Sequence, residues 1–437
     1  MFIIGINKNG QANDSLTSAK VETVSLILFN DKVWNELIPF CDKAIKNGFD
    51  YYYLRMRAGI ACYETKKYRK AETHFRKALS YNSGDEDATN YLYLCLVYDE
   101  KYEEATWLSK SFNEGQASKL GTKKHFPFSF INLEGAIKLS SRMDSIGNAQ
   151  YYQLGIEHYL FRRVSFFHSF SYNGQTDYSY YQNYGRGKDQ QQPPWDTTTH
   201  LFDHRNNDVS MIRQFHYFLK ANIPFKNNFL LSLSGQLIYD NDTHTIYDTV
   251  IHLKDNQGAQ NPPAPNYSKQ TPENTHASFV WSSTLKKYTT YIDYSIGTII
   301  DFIPDYNEYQ VSAALEYHPF ANANFNVGGI LYLHWHQPFS TTSALAFSPY
   351  VSFTPIKKLT FTTDFMQNSK GNVVEYSGYY VNNTPFYIKN RFSLGAKYKV
   401  LKKLSVYANY GLENRGSRFS DFTFTNNLFL LGISITR

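Results

Sequence analysis

The sequence predicts an α plus all-β protein, in which N-terminal helical repeats precede an antiparallel transmembrane β-barrel of about 14 strands. Three observations support this fold class. The first quarter of the chain repeats at a spacing of 34 residues. From about residue 126 onward, apolar and polar residues alternate with a period of two, and the connections between the alternating segments are short and long in turn.

The N-terminal repeat is visible when the sequence is aligned on itself. A shift of 34 residues places Trp34, Tyr68 and Tyr102 in register and aligns Ala44 with Ala78. Small and aromatic residues at this spacing are typical of stacked helix pairs, because two helices approach closely only where their contact positions carry little bulk. We therefore assign residues 20–122 to a helical repeat domain.

The middle copy, residues 52–85, resembles the tetratricopeptide repeat. The matching positions are Ala58, Gly59, Tyr68, Ala71, Phe75 and Ala78. The resemblance implies a concave surface that binds a peptide segment of a partner and has no catalytic role. In the middle copy this surface would carry Tyr53, Met56, Ile60 and Tyr63. The alternative is that these four side chains pack against the next repeat.

The barrel prediction rests on strands with one apolar face. In residues 227–242, the apolar positions alternate with mostly polar ones: Phe229, Leu231, Leu233, Leu237 and Tyr239. Fourteen segments follow this pattern: 127–141, 150–161, 164–181, 208–223, 228–240, 277–285, 289–302, 307–318, 324–336, 342–354, 358–370, 387–399, 403–415 and 426–436. We assign residues 125–437 to the barrel.

The connections and the aromatic content favour a membrane barrel over a water-soluble sheet. Short joins alternate with long polar ones, which are predicted as loops at residues 183–206 and 241–276. The chain contains 37 Tyr and 33 Phe residues, and such rings suit the interfacial rims of a membrane barrel. A soluble barrel would show the same alternation, but strands of about ten residues or more suit a wall that faces lipid.

Charged residues at the polar positions of the strands are expected to face the lumen. They are Glu134, Lys138, Glu157, Lys220, Asp293, Asp301, Glu316 and Lys397. Their mixed signs indicate an interior braced by ion pairs, or a mildly charged pore.

Other features restrict the functional classes. The formal net charge of +6 is spread along the chain, so no nucleic-acid partner is expected. Cys41, Cys62 and Cys95 lack metal-site spacing and are interpreted as small buried residues. No phosphate loop, dinucleotide fingerprint or nucleophile elbow is present, so we expect neither an enzyme nor a cofactor or metal. Residues 1–12 resemble the end of a secretory signal peptide.

The order of helical repeats and barrel resembles surface lipoprotein assembly modulators and polysaccharide export porins. This resemblance implies a protein of the Gram-negative outer membrane with its N-terminal domain in the periplasm. We expect two kinds of partner, outer-membrane lipid around the barrel and a periplasmic protein or export substrate on the repeats. The leading hypothesis is export of a protein or polysaccharide to the cell surface. The alternatives are a structural subunit of an outer-membrane complex that transports nothing, and an outer-membrane enzyme.

Overall fold

The computed structural model describes residues 16–122, 128–143, 145–187, 200–254, 266–303, 306–337, 344–368, 373–375, 386–417 and 421–436. The chain divides into two compact units, one containing the helices and the other containing the strands. The predicted signal-peptide remnant at residues 1–12 lies outside the described residues.

The helical unit contains seven α-helices in the described part of the chain: α1 (Ser18–Asn30), α2 (Trp34–Lys46), α3 (Tyr52–Glu64), α4 (Tyr68–Tyr81), α5 (Glu86–Tyr98), α6 (Tyr102–Leu108) and α7 (Glu114–Lys119). The helices α1, α3 and α5 begin at residues 18, 52 and 86, and α2, α4 and α6 begin at residues 34, 68 and 102. The helix pairs therefore recur at the spacing of 34 residues seen in the sequence. None of the described helices is both long enough and apolar enough to cross a bilayer.

The turn inside each helix pair has the same backbone conformation. Lys32, Lys66 and Glu100 adopt positive φ angles of 55°, 61° and 60°, which place the chain in the left-handed region just before the second helix of each pair. Close helix packing explains one small residue, because a Cβ added to Gly59 would lie 2.8 Å from Cε1 of Phe75. The three cysteines lie fully buried in the helical core, as predicted.

The second unit is a closed antiparallel barrel. Its strands are β1 (Phe130–Ser140), β2 (Ile146–Leu160), β3 (Val164–Gly187), β4 (His200–Phe225), β5 (Phe229–Lys254), β6 (Asn266–Gln270), β7 (Glu273–Lys287), β8 (Ile292–Ile303), β9 (Tyr306–Tyr317), β10 (Phe325–Gln337), β11 (Ala344–Ile356), β12 (Leu359–Asn368), β13 (Phe386–Lys399), β14 (Leu404–Ser417) and β15 (Thr423–Thr436). In the described part of the chain, the short strand β6 pairs only with the distal part of β5, and the other fourteen strands form the wall.

Sequential strands pair with each other, and β1 pairs with β15 to close the barrel. The closing register places Phe130 opposite Thr436, at the end of the barrel where the short turns lie. Each of the fourteen predicted segments overlaps one strand of the wall. The predicted fold class is therefore confirmed.

The predicted long polar loops are wrong in part, because much of their sequence is strand. β3 continues to Gly187, β4 begins at His200 and β5 continues to Lys254, with register pairs such as Tyr184 opposite Asp203. Backbone hydrogen bonds between strands form without an apolar face, so polar side chains do not end a hairpin. The remaining parts of these connections, residues 188–199 and 255–265, lie outside the described residues.

Candidate functional site

The barrel has an apolar outer face and a polar inner face. In β10, Leu331 faces outward and is 45% exposed, whereas its neighbours Tyr332 and Ile330 belong to a cluster inside the barrel. Every wall strand places at least one exposed large apolar side chain outward: Leu133, Leu154, Phe170, Phe215, Leu237, Trp281, Ile296, Leu315, Leu331, Phe347, Phe365, Leu394, Leu412 and Leu431. A continuous apolar belt of this kind marks a surface that requires another apolar phase around it.

All eight charged residues expected in the lumen occupy inward positions by the strand registers. Asp293 and Asp301 are buried, and Lys397 lies near an exposed strand end. The Nζ atom of Lys286, itself inward-facing, lies 3.0 Å from Oε2 of Glu316 and 3.6 Å from Oδ2 of Asp293. These ion pairs connect β7 with β8 and β9 on the inner face of the wall.

One cluster of interior charges centres on Glu413 of β14. This carboxylate is fully buried and lies 2.9 Å from Nε of Arg415 and 3.4 Å from Nζ of Lys138. Strand geometry brings these groups together, because Arg415 is two residues along the same strand and Lys138 is on the inward face of β1. The cluster places two cations beside one carboxylate.

A second cluster centres on Arg391 of β13. Its guanidinium donates to both carboxylate oxygens of Glu375, at 2.6 and 2.7 Å, and to Oδ2 of Asp364 at 3.0 Å. The hydroxyl of Ser393 also donates to Asp364, at 3.3 Å. Glu375 does not belong to a wall strand, since it lies in the connection between β12 and β13. The wall arginine therefore binds a carboxylate that a connecting segment delivers to the interior.

The segment 373–375 lies inside the barrel. Val374 packs against Ile238, Val280 and Ile299, on the inner face of β5, β7 and β8. Its backbone N–H donates to Oε1 of Gln310 at 3.0 Å, and its carbonyl accepts from Nε2 of Gln310 at 2.8 Å. We call residues 373–375 the inner strap.

Val373 anchors the inner strap to another part of the wall. It packs with residues of β10 to β13: Tyr332, Ala346, Met366 and Ile388. The inner strap thus contacts both sides of the lumen through buried apolar side chains and a two-point hydrogen bond. It narrows the interior at this level.

A cavity of about 380 Å³ lies in the barrel, bounded by β1 to β5 and β12 to β15. Lys138, Arg391 and Arg415 line it together with the carboxylates of Glu134, Asp364 and Glu413, so its charged groups balance in number. Hydroxyl and amide groups also line it, among them Tyr407, whose hydroxyl lies 2.6 Å from Oε2 of Glu134. Apolar side chains such as Ile212, Leu428 and Leu430 complete the wall. A cavity of this size, with charged, polar and apolar walls, accommodates a small solute.

Sequence reasoning placed Glu134 and Lys138 in the interior but missed the two clusters that surround the cavity. Arg391, Glu413 and Arg415 lie at the polar positions of strands in which apolar and polar residues alternate. The same period of two could therefore have identified them. Glu375 gave no such signal, because it follows two valines in a stretch without strand periodicity. Only the fold brings this carboxylate to Arg391.

The candidate surface on the helices has a mixed environment. Tyr53 is 63% exposed, while Met56 and Ile60 are partly buried against the helical core. The ring of Tyr63 contacts the rings of Tyr91 and Tyr98 on α5, with centroid distances of 5.2 and 6.2 Å. Tyr63 therefore packs against the following helix pair, as the alternative interpretation expects, and Tyr53 is the member of the set that is most accessible to a partner.

The protein was also compared with known proteins. No protein-family profile and no curated protein matches the chain. Among solved structures, the Ralstonia pickettii toluene transporter TbuX is 8% identical, with a TM-score of 0.42 over 71% of this chain and 90% of the transporter. A bacterial polysaccharide outer membrane secretin is 9% identical, with a TM-score of 0.36 over 72% of this chain and all of that one.

A third similar structure, the KdgM porin with a disordered oligogalacturonate, is 11% identical, with a TM-score of 0.28 over 53% of this chain and 99% of the porin. Likenesses of this size do not identify a cargo for this chain. Its function has to be inferred from its own surfaces and interior.

Proposed function

We propose that this protein is an outer-membrane β-barrel transporter whose periplasmic helical domain binds a partner or an export substrate. The observation that carries this proposal is the combination of an outward apolar belt on all fourteen wall strands with a charged, amide-rich interior. This arrangement reverses that of a water-soluble barrel, whose apolar side chains would fill the centre.

Strand lengths also fit a bilayer. A tilted transmembrane strand needs about 9–11 residues to cross the hydrocarbon core. The strands from β8 to β15 contain 10 to 14 residues. β4 and β5 each contain 26 residues, so they extend well beyond the length that lipid requires.

The topology supports a periplasmic position for the helical domain. The first and last wall strands both have their free ends at the end of the barrel where the short turns lie. In outer-membrane barrels the short turns face the periplasm and the long connections face outward. The helical domain precedes β1 in the chain, so in our proposal it lies on the periplasmic side.

We propose that the cargo is a protein or a polysaccharide that is exported. Helical repeats are suited to holding an extended partner, and Tyr53 offers an exposed aromatic contact. The inner strap narrows the lumen, so passage of such a polymer requires its displacement. This requirement makes the inner strap the control point of the pathway in our proposal.

The second candidate function is that of a scaffold that transports nothing. The observation in its favour is the burial of Val373, Val374 and Glu375 inside the lumen, which a permanently closed barrel would also show. The two functions differ in whether the inner strap moves.

Conductance in planar bilayers tests the proposal. The wild-type protein should show low conductance with openings, and replacing the strap residues together (Val373→Ser, Val374→Ser, Glu375→Ser) should raise the mean conductance severalfold. The matched control is Val400→Ser with Leu401→Ser, a change in the short β13–β14 turn, which should leave conductance unchanged. Sealed behaviour of both the wild type and the strap variant would refute transport and favour the scaffold.

A further inference from the structure

The contact between the inner strap and the wall is a carboxylate bound by an arginine. Glu375 is only 2% exposed, and both of its oxygens accept from Arg391, at 2.6 and 2.7 Å. This two-point geometry is the usual way in which a guanidinium binds a carboxylate, and it gives directional specificity in addition to charge. Glu375 therefore occupies the position that a carboxylate-bearing ligand would take on Arg391.

The arginine that binds Glu375 also lines the cavity. Arg391, Asp364 and Ser393 all contribute to the wall of the 380 Å³ space, so the site of the strap contact and the space for a solute are continuous. Asp364 holds one edge of the guanidinium at 3.0 Å and would keep it oriented when Glu375 leaves. Departure of Glu375 exposes two donors of a positioned arginine to the cavity.

The local pairing of Arg391 with carboxylates favours an anion at this point. The cavity is lined by three cationic side chains and three carboxylates, and Glu375 adds a fourth carboxylate from the strap. When the strap withdraws, a ligand carboxylate takes the place of the carboxylate that Glu375 provided to Arg391. An uncharged ligand would not replace this carboxylate, which is unfavourable for a guanidinium in a low-dielectric setting.

Part of the wall is also suited to hydroxyl groups. The Oε1 atom of Gln236, a side chain that is 2% exposed and lines the cavity, has no hydrogen-bond partner among the described residues. Its Nε2 lies 2.9 Å from Nδ1 of His216, which fixes the amide and leaves an acceptor for a donating hydroxyl. Asn409 and Tyr407 add further polar atoms to the same cavity.

We infer that the luminal cavity is a binding site for a small polyhydroxylated carboxylate, such as an acidic sugar unit, and that this ligand opens the lumen by displacing Glu375 from Arg391. The inference rests on the proposed transport function and specifies the solute chemistry for that pathway. A cavity of this volume holds one sugar unit, so an acidic polymer would engage it one unit at a time. The strap acts as an internal ligand that closes the barrel when no solute is present.

The test uses the full-length protein in detergent micelles and measures binding by calorimetry with three probes: glucuronate, glucose and glucose 1-phosphate. Wild type should bind glucuronate and should bind glucose at least about tenfold more weakly, because glucose lacks the group that Arg391 pairs with. Equal binding of glucose and glucuronate would overturn the inference. Stronger binding of glucose 1-phosphate than of glucuronate would overturn the assignment of a carboxylate.

Two variants break the contact between Glu375 and Arg391, and we expect them to change the affinity for glucuronate in opposite directions. Glu375→Gln removes the internal competitor and should tighten glucuronate binding by about tenfold or more, whereas Arg391→Gln removes the receptor and should abolish it. A purely structural role for the pair would change both variants in the same direction, and that result would contradict us. Lys397→Gln, an inward position that does not line the cavity, is the matched control and should bind like wild type.

Folding of each variant is checked by the heat-dependent shift in gel mobility that folded barrels show. If Arg391→Gln does not fold, the tightening in Glu375→Gln still decides the matter, since wild-type affinity in that variant would refute displacement. Binding is measured without a membrane current. Glucuronate binding without conductance would therefore contradict transport while leaving the site intact, and conductance without binding would contradict the site alone.

Discussion

The two regions of this protein place their large apolar side chains on opposite sides, inside the helical unit and outside the barrel. In the helical unit, Leu37, Leu54 and Phe75 are fully buried, as in any water-soluble core. In the barrel, large apolar side chains such as Leu331 lie on the outside, and Glu413 is fully buried within. The difference shows that each region is matched to its own surroundings, since burying apolar area is favourable only when the alternative is water.

Both regions nevertheless bury ion pairs. In the helical unit, Nζ of Lys101 lies 2.7 Å from Glu72 and 2.9 Å from Asp99, and Arg76 contacts Glu72 at 2.8 Å. Burial favours a raised pKa for Glu72, but the charges of Lys101 and Arg76 outweigh it and lower the pKa to about 2. In the helical unit the buried charges therefore pair with each other inside the core, whereas in the barrel the buried charges also line a cavity.

Among the changes that would sharpen this comparison, truncating a side chain in the helical core should have the largest effect on stability. Phe75→Ala should lower the free energy of unfolding of the helical unit by about 3–5 kcal/mol, because Phe75 fills the space beside Gly59 and stacks on Tyr91 at 5.1 Å. Denaturation in micelles followed by helical ellipticity measures it. The exposed control Tyr53→Ala should cost about 0.5 kcal/mol or less. Similar losses in the two variants would show that α3 and α4 do not enclose a core.

Placing a charge on the outer apolar belt should have the next largest effect on stability. Leu331→Arg, near the middle of β10, should destabilise the barrel in lipid by about 2–4 kcal/mol, because an arginine at the bilayer midplane lies in hydrocarbon. Ile356→Arg, at the end of β11, is the control and should cost about 0–1 kcal/mol near the interface. Urea unfolding in vesicles measures both. If neither variant is destabilised, the belt does not face lipid and the comparison fails.

A smaller effect concerns acid stability of the helical unit. Burial, with a further contribution from the Arg55 charge, lowers the pKa of His74 from 6.5 to about 4. Arg55 Nη1 lies 3.2 Å from Nδ1 of His74, and a guanidinium only donates, so this nitrogen accepts and carries no proton. The unfolded chain takes up a proton below pH 6.5 while the folded chain does not, so stability falls as the pH drops toward 4.

Between pH 7.5 and 4.5 this single group should cost the helical unit about 2–3 kcal/mol. Thermal unfolding followed by helical ellipticity at the two pH values measures the loss, and His74→Gln should remove most of the pH dependence. An unchanged slope in His74→Gln would mean that other groups control acid sensitivity in this region.

Several parts of the molecule were predictable from local patterns. The helix starts followed the spacing of Trp34, Tyr68 and Tyr102, and the wall strands followed the period of two, because both patterns report which side of an element is apolar. The ends of β3, β4 and β5 were not predictable in this way. Their outer parts are paired by backbone hydrogen bonds, which carry no signature in side-chain type.

Some residues of the candidate site were likewise predictable from local patterns, and others were not. The inward positions of Glu134 and Lys138 follow from strand alternation alone, since every second residue of a wall strand faces the lumen. The position of Glu375 does not follow from any local pattern.

The sequence by itself determined the two regions, the spacing of the helix pairs and the inner and outer faces of the wall, because periodicity is a local property. The tertiary structure alone decided that the inner strap enters the lumen and that Glu375 meets Arg391, two residues sixteen positions apart. The strap has no repeating face, so its place depends on contacts with Ile238, Val280 and Gln310 on distant strands. Such contacts exist only after the barrel has closed.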